Sequence, residues 1–249
     1  MVNFQIRIVN GNAPTEGTIY FTNLDTHVDF SIPAHQVYDY TLNETEKVAV
    51  YNATMGVSNK SIHITTDHQV SVSAFICEMV FGQSGDATNV LPSTTLGMDY
   101  YDLSYAAAGT GSYDAYVVVA IEDNTHVYHN GILAATLNEG GVYYRTSPEF
   151  SDMTGTHITS DKPIALFAAT QVTVIPVPSG AGSLFQQLAP VHTWGRDFFV
   201  PVSHLGKDVV RIVASEDGTN ITQTGGTMLF PAGGQTSLDN LQAGQFVEL

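Results

Sequence analysis

Positive charge is scarce in this sequence: 8 Lys and Arg stand against 24 Asp and Glu over 249 residues, a formal net charge of -16. A nucleic-acid binder neutralises phosphates with clustered Lys and Arg, so so few scattered basic residues exclude that class. The same shortage disfavours attachment to an anionic membrane surface. Charged residues of both signs make up only 13%, about half of the usual quarter, and Asn, Thr, Ser, Gly and Gln take their place. Cysteine is nearly absent. Cys77 alone forms no internal disulfide, and its place in the apolar run Val72–Val80 reads as a buried small hydrophobe rather than a nucleophile. No stretch reaches the ~18 consecutive apolar residues of a membrane-spanning helix. The opening Met1–Asn10 alternates with period two, as a strand does and a signal peptide does not. Any export signal is therefore expected to lie outside this chain or to have been removed.

A sustained helical period is missing as well. What is present is a series of short β-branched and aromatic runs: Val117–Glu122, His126–His129, Ile132–Leu137, Val142–Thr146, His157–Ser160 and Ile164–Ala169. Gly, Asn, Asp and Pro separate them. Asn130-Gly131 is a strong signal for a type I′ hairpin turn, and the chain is expected to be all-β.

The runs recur. Leu42-Asn43-Glu44 matches Leu137-Asn138-Glu139, and His63-Ile64-Thr65-Thr66-Asp67 matches His157-Ile158-Thr159-Ser160-Asp161. Leu96-Gly97-Met98-Asp99-Tyr100-Tyr101 matches Trp194-Gly195-Arg196-Asp197-Phe198-Phe199, and Glu122-Asp123-Asn124-Thr125 matches Glu216-Asp217-Gly218-Thr219. A third Leu appears in Leu241-Gln242-Ala243-Gly244. Spacings close to 95 residues predict tandem antiparallel sandwich-like units, with a propeller as the alternative arrangement. The units are residues 1–110 (incomplete at its start), 111–206 (complete) and 207–249 (truncated). Trp194 and its partner position Leu96 are expected to be buried, and the last unit to be the least stable.

Catalytic and metal signatures do not assemble. His63 and His157 occupy equivalent repeat positions, which favours a structural imidazole over a catalytic one. His126 and His129, three apart on a strand, face opposite ways and share no metal. Gly82-Gln83-Ser84-Gly85-Asp86 lacks the spacing of a nucleophile elbow and reads as a loop. The turns at Asp123 and Asp217 supply carboxylates suited to turn capping; each alone offers too few oxygens for a full calcium shell. Asn43, Asn52, Asn59 and Asn220 head glycosylation triplets. No catalytic, cofactor-binding or metal residue is assigned, no cofactor is expected, and the ligand-contacting residues stay unspecified.

Several runs resemble those of the IgGFc-binding protein N-terminal domain family. Thr154-Gly-Thr-His-Ile-Thr-Ser-Asp-Lys-Pro-Ile-Ala-Leu-Phe167 is similar to its "GT-x-I-x-S-x-KP-x-AVF" run. Gln187-Leu-Ala-Pro-Val-His-Thr-Trp-Gly-Arg-Asp-Phe198 is similar to its "EQL-x-P-x-x-x-WG-x-x-F" run, and Leu91–Tyr101 to its "LP-x-x-x-LG-x-x-Y" element. The likeness spans roughly residues 17–249. It implies an extracellular or cell-surface location and a binding or adhesive role within a longer parent protein, toward a protein or glycan ligand. A spacer repeat, or more remotely a secreted glycan hydrolase, are the alternatives. Family cysteines between the "KP" strand and the "EQL" run have no counterpart in Thr170–Gln186, where Val172 and Ser183 stand near their places. This favours a bacterial-type or environmental member. Gly155, Pro163, Trp194 and Gly195, carried over from the motifs, read as structural.

Overall fold

A computed structural model describes residues 2–52, 54–78, 84–175, 180–201 and 208–249. It is nearly all β and antiparallel. The first strands are β1 (Val2–Asn10), β2 (Thr15–Phe21), β3 (Thr26–Ile32) and β4 (Val37–Thr41). Helix α1 (Glu44–Val50), β5 (Gly56–Ser58), β6 (Ile62–Thr66), β7 (Val70–Glu78) and β8 (Ser84–Val90) follow. Next come β9 (Gly97–Tyr101), β10 (Asp114–Ala120), β11 (Thr125–His129), β12 (Ile132–Leu137) and β13 (Val142–Thr146). The last strands are β14 (His157–Val174), β15 (Ala181–Leu188), β16 (Arg211–Val213) and β17 (Phe246–Glu248).

Alternation of apolar and polar residues puts one face of each strand inward. In the first part of the chain the sheet β4-β1-β7-β8 and the sheet β3-β2-β6 bury that face against each other. The shared core holds Ile6 and Ile8 from β1, Ile19 and Phe21 from β2, and Phe30 and Ile32 from β3. In the second part the order is β13-β10-β14-β15 and β12-β11-β14. There β14 runs 18 residues through both halves and joins them into one sheet wrapped round its core. Several strand pairings recur in both parts, although β11–β12 carries a register shift that β2–β3 lacks. Val72 faces Ile8 and Val90, while Leu166 faces Val118 and Leu188. At the end, Thr219 bridges Leu241 as Thr125 pairs with Leu137, and Val213 faces Phe246 as Val119 faces Val142.

Several expectations need correction. β1 to β4 take places in their two sheets like those that β10 to β13 take in the later sheet. Leu42-Asn43-Glu44 is not the counterpart of Leu137-Asn138-Glu139. Leu42 follows the fourth strand, whereas Leu137 ends a third one, paired with Thr125 as Ile32 is with Thr15. The reason lies in local chemistry, because Asn43 heads α1 in a capping box with Glu46. Residues 97–101 belong to the second core, not the first. As β9 they pair with β14, and Tyr100 is fully buried there. Trp194 and Leu96 are half-buried rather than buried, since each closes a surface 3-10 turn, at Val191–Thr193 and Ser93–Thr95. Gly82 and Gln83 lie outside the described residues, and Ser84–Asp86 form part of β8 rather than a loop. Asn130 and Gly131 both have positive φ, 48° and 77°, as a type I′ turn between β11 and β12 requires. Among the described residues no helix is long and apolar enough to cross a membrane.

Candidate binding surface

The titratable side chains fall into a sealed cluster and an open one. The sealed cluster joins the loop after β9, the start of β10, the loop before β14, and the β16–β17 pair. Asp102 and Asp114 are fully buried. Ser104 Oγ lies 2.7 Å from Asp114 Oδ2 and also touches Asp102 Oδ2. One hydroxyl has a single proton, so it cannot donate to both carboxylates at once. At least one carboxyl of the pair is therefore protonated and donates in turn. Burial pushes both acids up, Asp114 to about 7 and Asp102 well above the usual carboxylate range, and Asp114 raises Asp102 further. Asp102 Oδ1 has no hydrogen-bond partner, which a neutral carboxyl tolerates far better than an ionised one. Beside this pair, Arg211 Nη1 donates to Asp152 Oδ2 at 2.7 Å, to Ser104 O at 2.6 Å and to Thr154 Oγ1 at 2.9 Å. Its Nε and Nη2 reach Glu248 Oε2 at 3.0 and 2.8 Å. The guanidinium also lies over the rings of Tyr105 at 3.6 Å and Phe246 at 4.6 Å. The Arg211 and Asp152 side chains are 5% and 13% exposed, so this group ties the chain's end to its middle and presents little to solvent.

Sequence reading missed this cluster. A signal was present: Arg211 interrupts the apolar run Val209–Val213, and a charge on a strand's apolar stretch needs a buried partner.

The open cluster surrounds β9. His157 Nε2 lies 2.8 Å from Asp99 Oδ1, with side chains 37% and 56% exposed. The imidazole stacks on Tyr101 with centroids 4.5 Å apart and planes 9° from parallel. Trp194 lies tilted beside the same Tyr101 at 6.1 Å, held by a bond from its Nε1 to Ala189 O at 3.0 Å. Strand register places these groups together, because Tyr101 pairs with His157 and Asp99 with Thr159. His63 sits at the corresponding place on β6, exposed and opposite Tyr20.

The remaining candidates serve local structure. His126 Nδ1 meets Asp161 Oδ2 at 2.7 Å while His129 Nδ1 meets the Tyr116 hydroxyl at 3.0 Å, so the two imidazoles do not converge. Burial lowers the His129 pKa and thus favours its neutral form. Asp123 Oδ1 accepts from Glu139 N at 3.0 Å and Asp217 Oδ1 from Ala243 N at 2.9 Å; each carboxylate fastens its turn to a second turn, the one that precedes β13 or β17. Among the described residues no group of three or more His, Cys, Asp or Glu is placed to hold a metal ion.

Among the described residues the buried charges are thus sealed inside an antiparallel, nearly all-β fold, while Asp99, His157 and Trp194 reach the surface around the buried Tyr101. The family model for IgGFc binding protein matches residues 86–249, and the chain belongs to that family. The matched region begins in β8 and takes in both clusters; the likeness expected from residue 17 is matched from residue 86 only. No curated protein and no solved structure matches the chain.

Proposed function

We propose that this chain is a non-catalytic binding or adhesion module of a larger secreted or cell-surface protein, and that it takes its protein or glycan ligand on the surface formed by Asp99, His157 and Trp194 over the buried ring of Tyr101. The observation that carries this reading is the His157–Tyr101 stack beside Trp194, with Asp99 half open to solvent. The Trp194 ring offers rigid contact area at low entropic cost, and the imidazole and carboxylate, backed by the buried Tyr101, add directional hydrogen bonds. The burial of Asp102 and Asp114 favours the non-catalytic reading, since a substrate has no access to them. Family membership supports the extracellular placement. In the same proposal the chain consists of three consecutive units, roughly residues 1–110, 111–206 and 207–249, with β9 handed from the first to the second.

A spacer role is the second reading. It is favoured by the joints between successive parts: β5 pairs with β13, and Ser61 Oγ donates to Gly140 O at 2.7 Å. A screen of arrayed glycans and extracellular proteins with the intact chain separates the two readings. Binding that falls about tenfold or more in both Trp194→Ala and His157→Ala, the change that ~1.4 kcal/mol produces, supports the module. Absence of any ligand, or ligands indifferent to both substitutions, supports the spacer.

A further inference from the structure

In the second core, β9 is an inserted strand. It lies against the outer edge of the first part of β14, with Asp99, Tyr100 and Tyr101 opposite Thr159, Ile158 and His157. Tyr100 fills the core, its hydroxyl donating to Ile164 O at 2.6 Å and accepting from Gly97 N at 2.9 Å. Under this strand Ile158, Ile164 and Leu166 are all 0% exposed.

Among the described residues the first core shows no such strand. Its β6 corresponds to the opening of β14, and among the described residues its ladder partner is β2 alone. The counterparts of the three covered side chains are Ile64, Val70 and Val72, and each is only half-buried. An edge and a partly uncovered apolar slot thus stand at the place where Tyr100 enters the second core.

A segment that matches the insert is also present. After the second 3-10 turn, Gly195–Phe199 repeats the order of Gly97–Tyr101, with Phe198 in the place of Tyr100 and Phe199 in that of Tyr101. Both turns have the same geometry: Thr95 and Thr193 each bond back to Pro92 O and Pro190 O through backbone N and side-chain Oγ1. Yet Phe198 is 70% and Phe199 95% exposed, and among the described residues no strand pairs with 195–199. Two adjacent Phe rings in water are costly, and a free strand edge is a template for another chain.

We infer that Gly195–Phe199 is a donor strand and the β6 edge its acceptor, so that one copy of this chain inserts Phe198 over Ile64, Val70 and Val72 of a second copy. The register follows from β9: Phe199 opposite His63, Phe198 opposite Ile64 and Asp197 opposite Thr65. Because donor and acceptor are different surfaces, the contact is head-to-tail and extends into open chains of copies rather than closing as a two-fold dimer.

Sedimentation velocity of the full chain over a concentration series is expected to show growth beyond a dimer. Phe198→Asp, which alters an exposed residue, should weaken the association by about thirtyfold or more, as loss of an anchoring aromatic does. In a Cys77→Ser background, a chain carrying Phe199→Cys mixed with one carrying His63→Cys should form a disulfide-linked pair, whereas Phe199→Cys with Ser31→Cys should not. A chain that remains monomeric throughout overturns the inference. So does association indifferent to Phe198→Asp, or a Gly195–Phe199 strand that pairs only with a different protein.

Discussion

Arg211 Nη1 and Asp152 Oδ2 stand 2.7 Å apart, and this ion pair fastens β16, near the end of the chain, to the loop that precedes β14. Removing one partner of a buried pair leaves the other charge unpaired in a poorly solvated place. Arg211→Ala should cost about 3–5 kcal/mol of stability in denaturant titration. Amides at 211–213 and 246–248 should then exchange faster, while Val118 and Leu166 stay protected. An unchanged unfolding midpoint would show the clamp to be idle.

The buried acids set a direction for pH dependence. Asp114 titrates at about 7 in the folded protein against an ordinary 3.8, so between those values the folded state holds more protons than the unfolded one. Stability should fall as pH rises from about 4 to about 7, by ~4 kcal/mol for a shift of this size acting alone. Asp102, raised by burial and by Asp114, acts in the same sense. Asp39 and Asp161, held low by Arg7 and His126, act in the opposite sense and only below the usual carboxylate range. Asp114→Asn should flatten the decline in thermal unfolding scans at pH 4, 5.5 and 7; a slope equal to the parent's would exclude Asp114 as its source.

Gly155 and Gly131 form a contrasting pair. Both have positive φ, +87° and +77°. A Cβ on Gly155 would fall onto the Gly244 carbonyl oxygen, at 1.9 Å, whereas one on Gly131 meets open space. Gly131→Ala should cost about 1 kcal/mol for its backbone conformation alone. Gly155→Ala adds overpacking of a fixed backbone, and should cost about 2–4 kcal/mol. Equal losses in parallel melts would mean that the 155–244 approach relaxes freely.

Tyr100 carries a core ring and a two-sided hydroxyl. Tyr100→Phe removes the bond to Ile164 O and leaves Gly97 N without its acceptor, at a cost of about 1–3 kcal/mol. Tyr100→Ala also empties the core and should cost about 3–5 kcal/mol. Equal stability of the two variants would indicate that the hydroxyl matters more than the ring.

Much of the architecture was legible because strands advertise themselves locally. β-branched runs bounded by Gly, Asn and Asp gave the all-β class, and Asn130-Gly131 gave its turn. His63 and His157 each lie near the start of a strand, and Asp123 and Asp217 each accept a backbone N–H from a second turn, so these motifs have definite local duties. Leu42-Asn43-Glu44 misled because three matching residues do not distinguish a helix cap from a strand end. The match of Trp194 to Leu96 implied a core position, yet a ring beside a 3-10 turn can rest on one neighbour and leave its other face open. The Arg211 cluster depends on residues up to 146 apart, from 102 to 248, and no local pattern joins them. The placing of Asp99 and His157 around the buried Tyr101 needed the pairing of β9 with β14, a long-range register that sequence spacing does not fix.

Trp194 is the chain's one tryptophan, so its fluorescence reports on the proposed ligand surface without a label. Titration with any glycan or extracellular protein that the chain captures should give a saturable change in intensity or wavelength. The same titration of His157→Ala should need about tenfold more ligand, the loss that one good polar contact worth ~1.4 kcal/mol produces. A captured ligand that saturates the protein with Trp194 emission unchanged, and with undiminished affinity for His157→Ala and Trp194→Ala, would place the binding surface elsewhere.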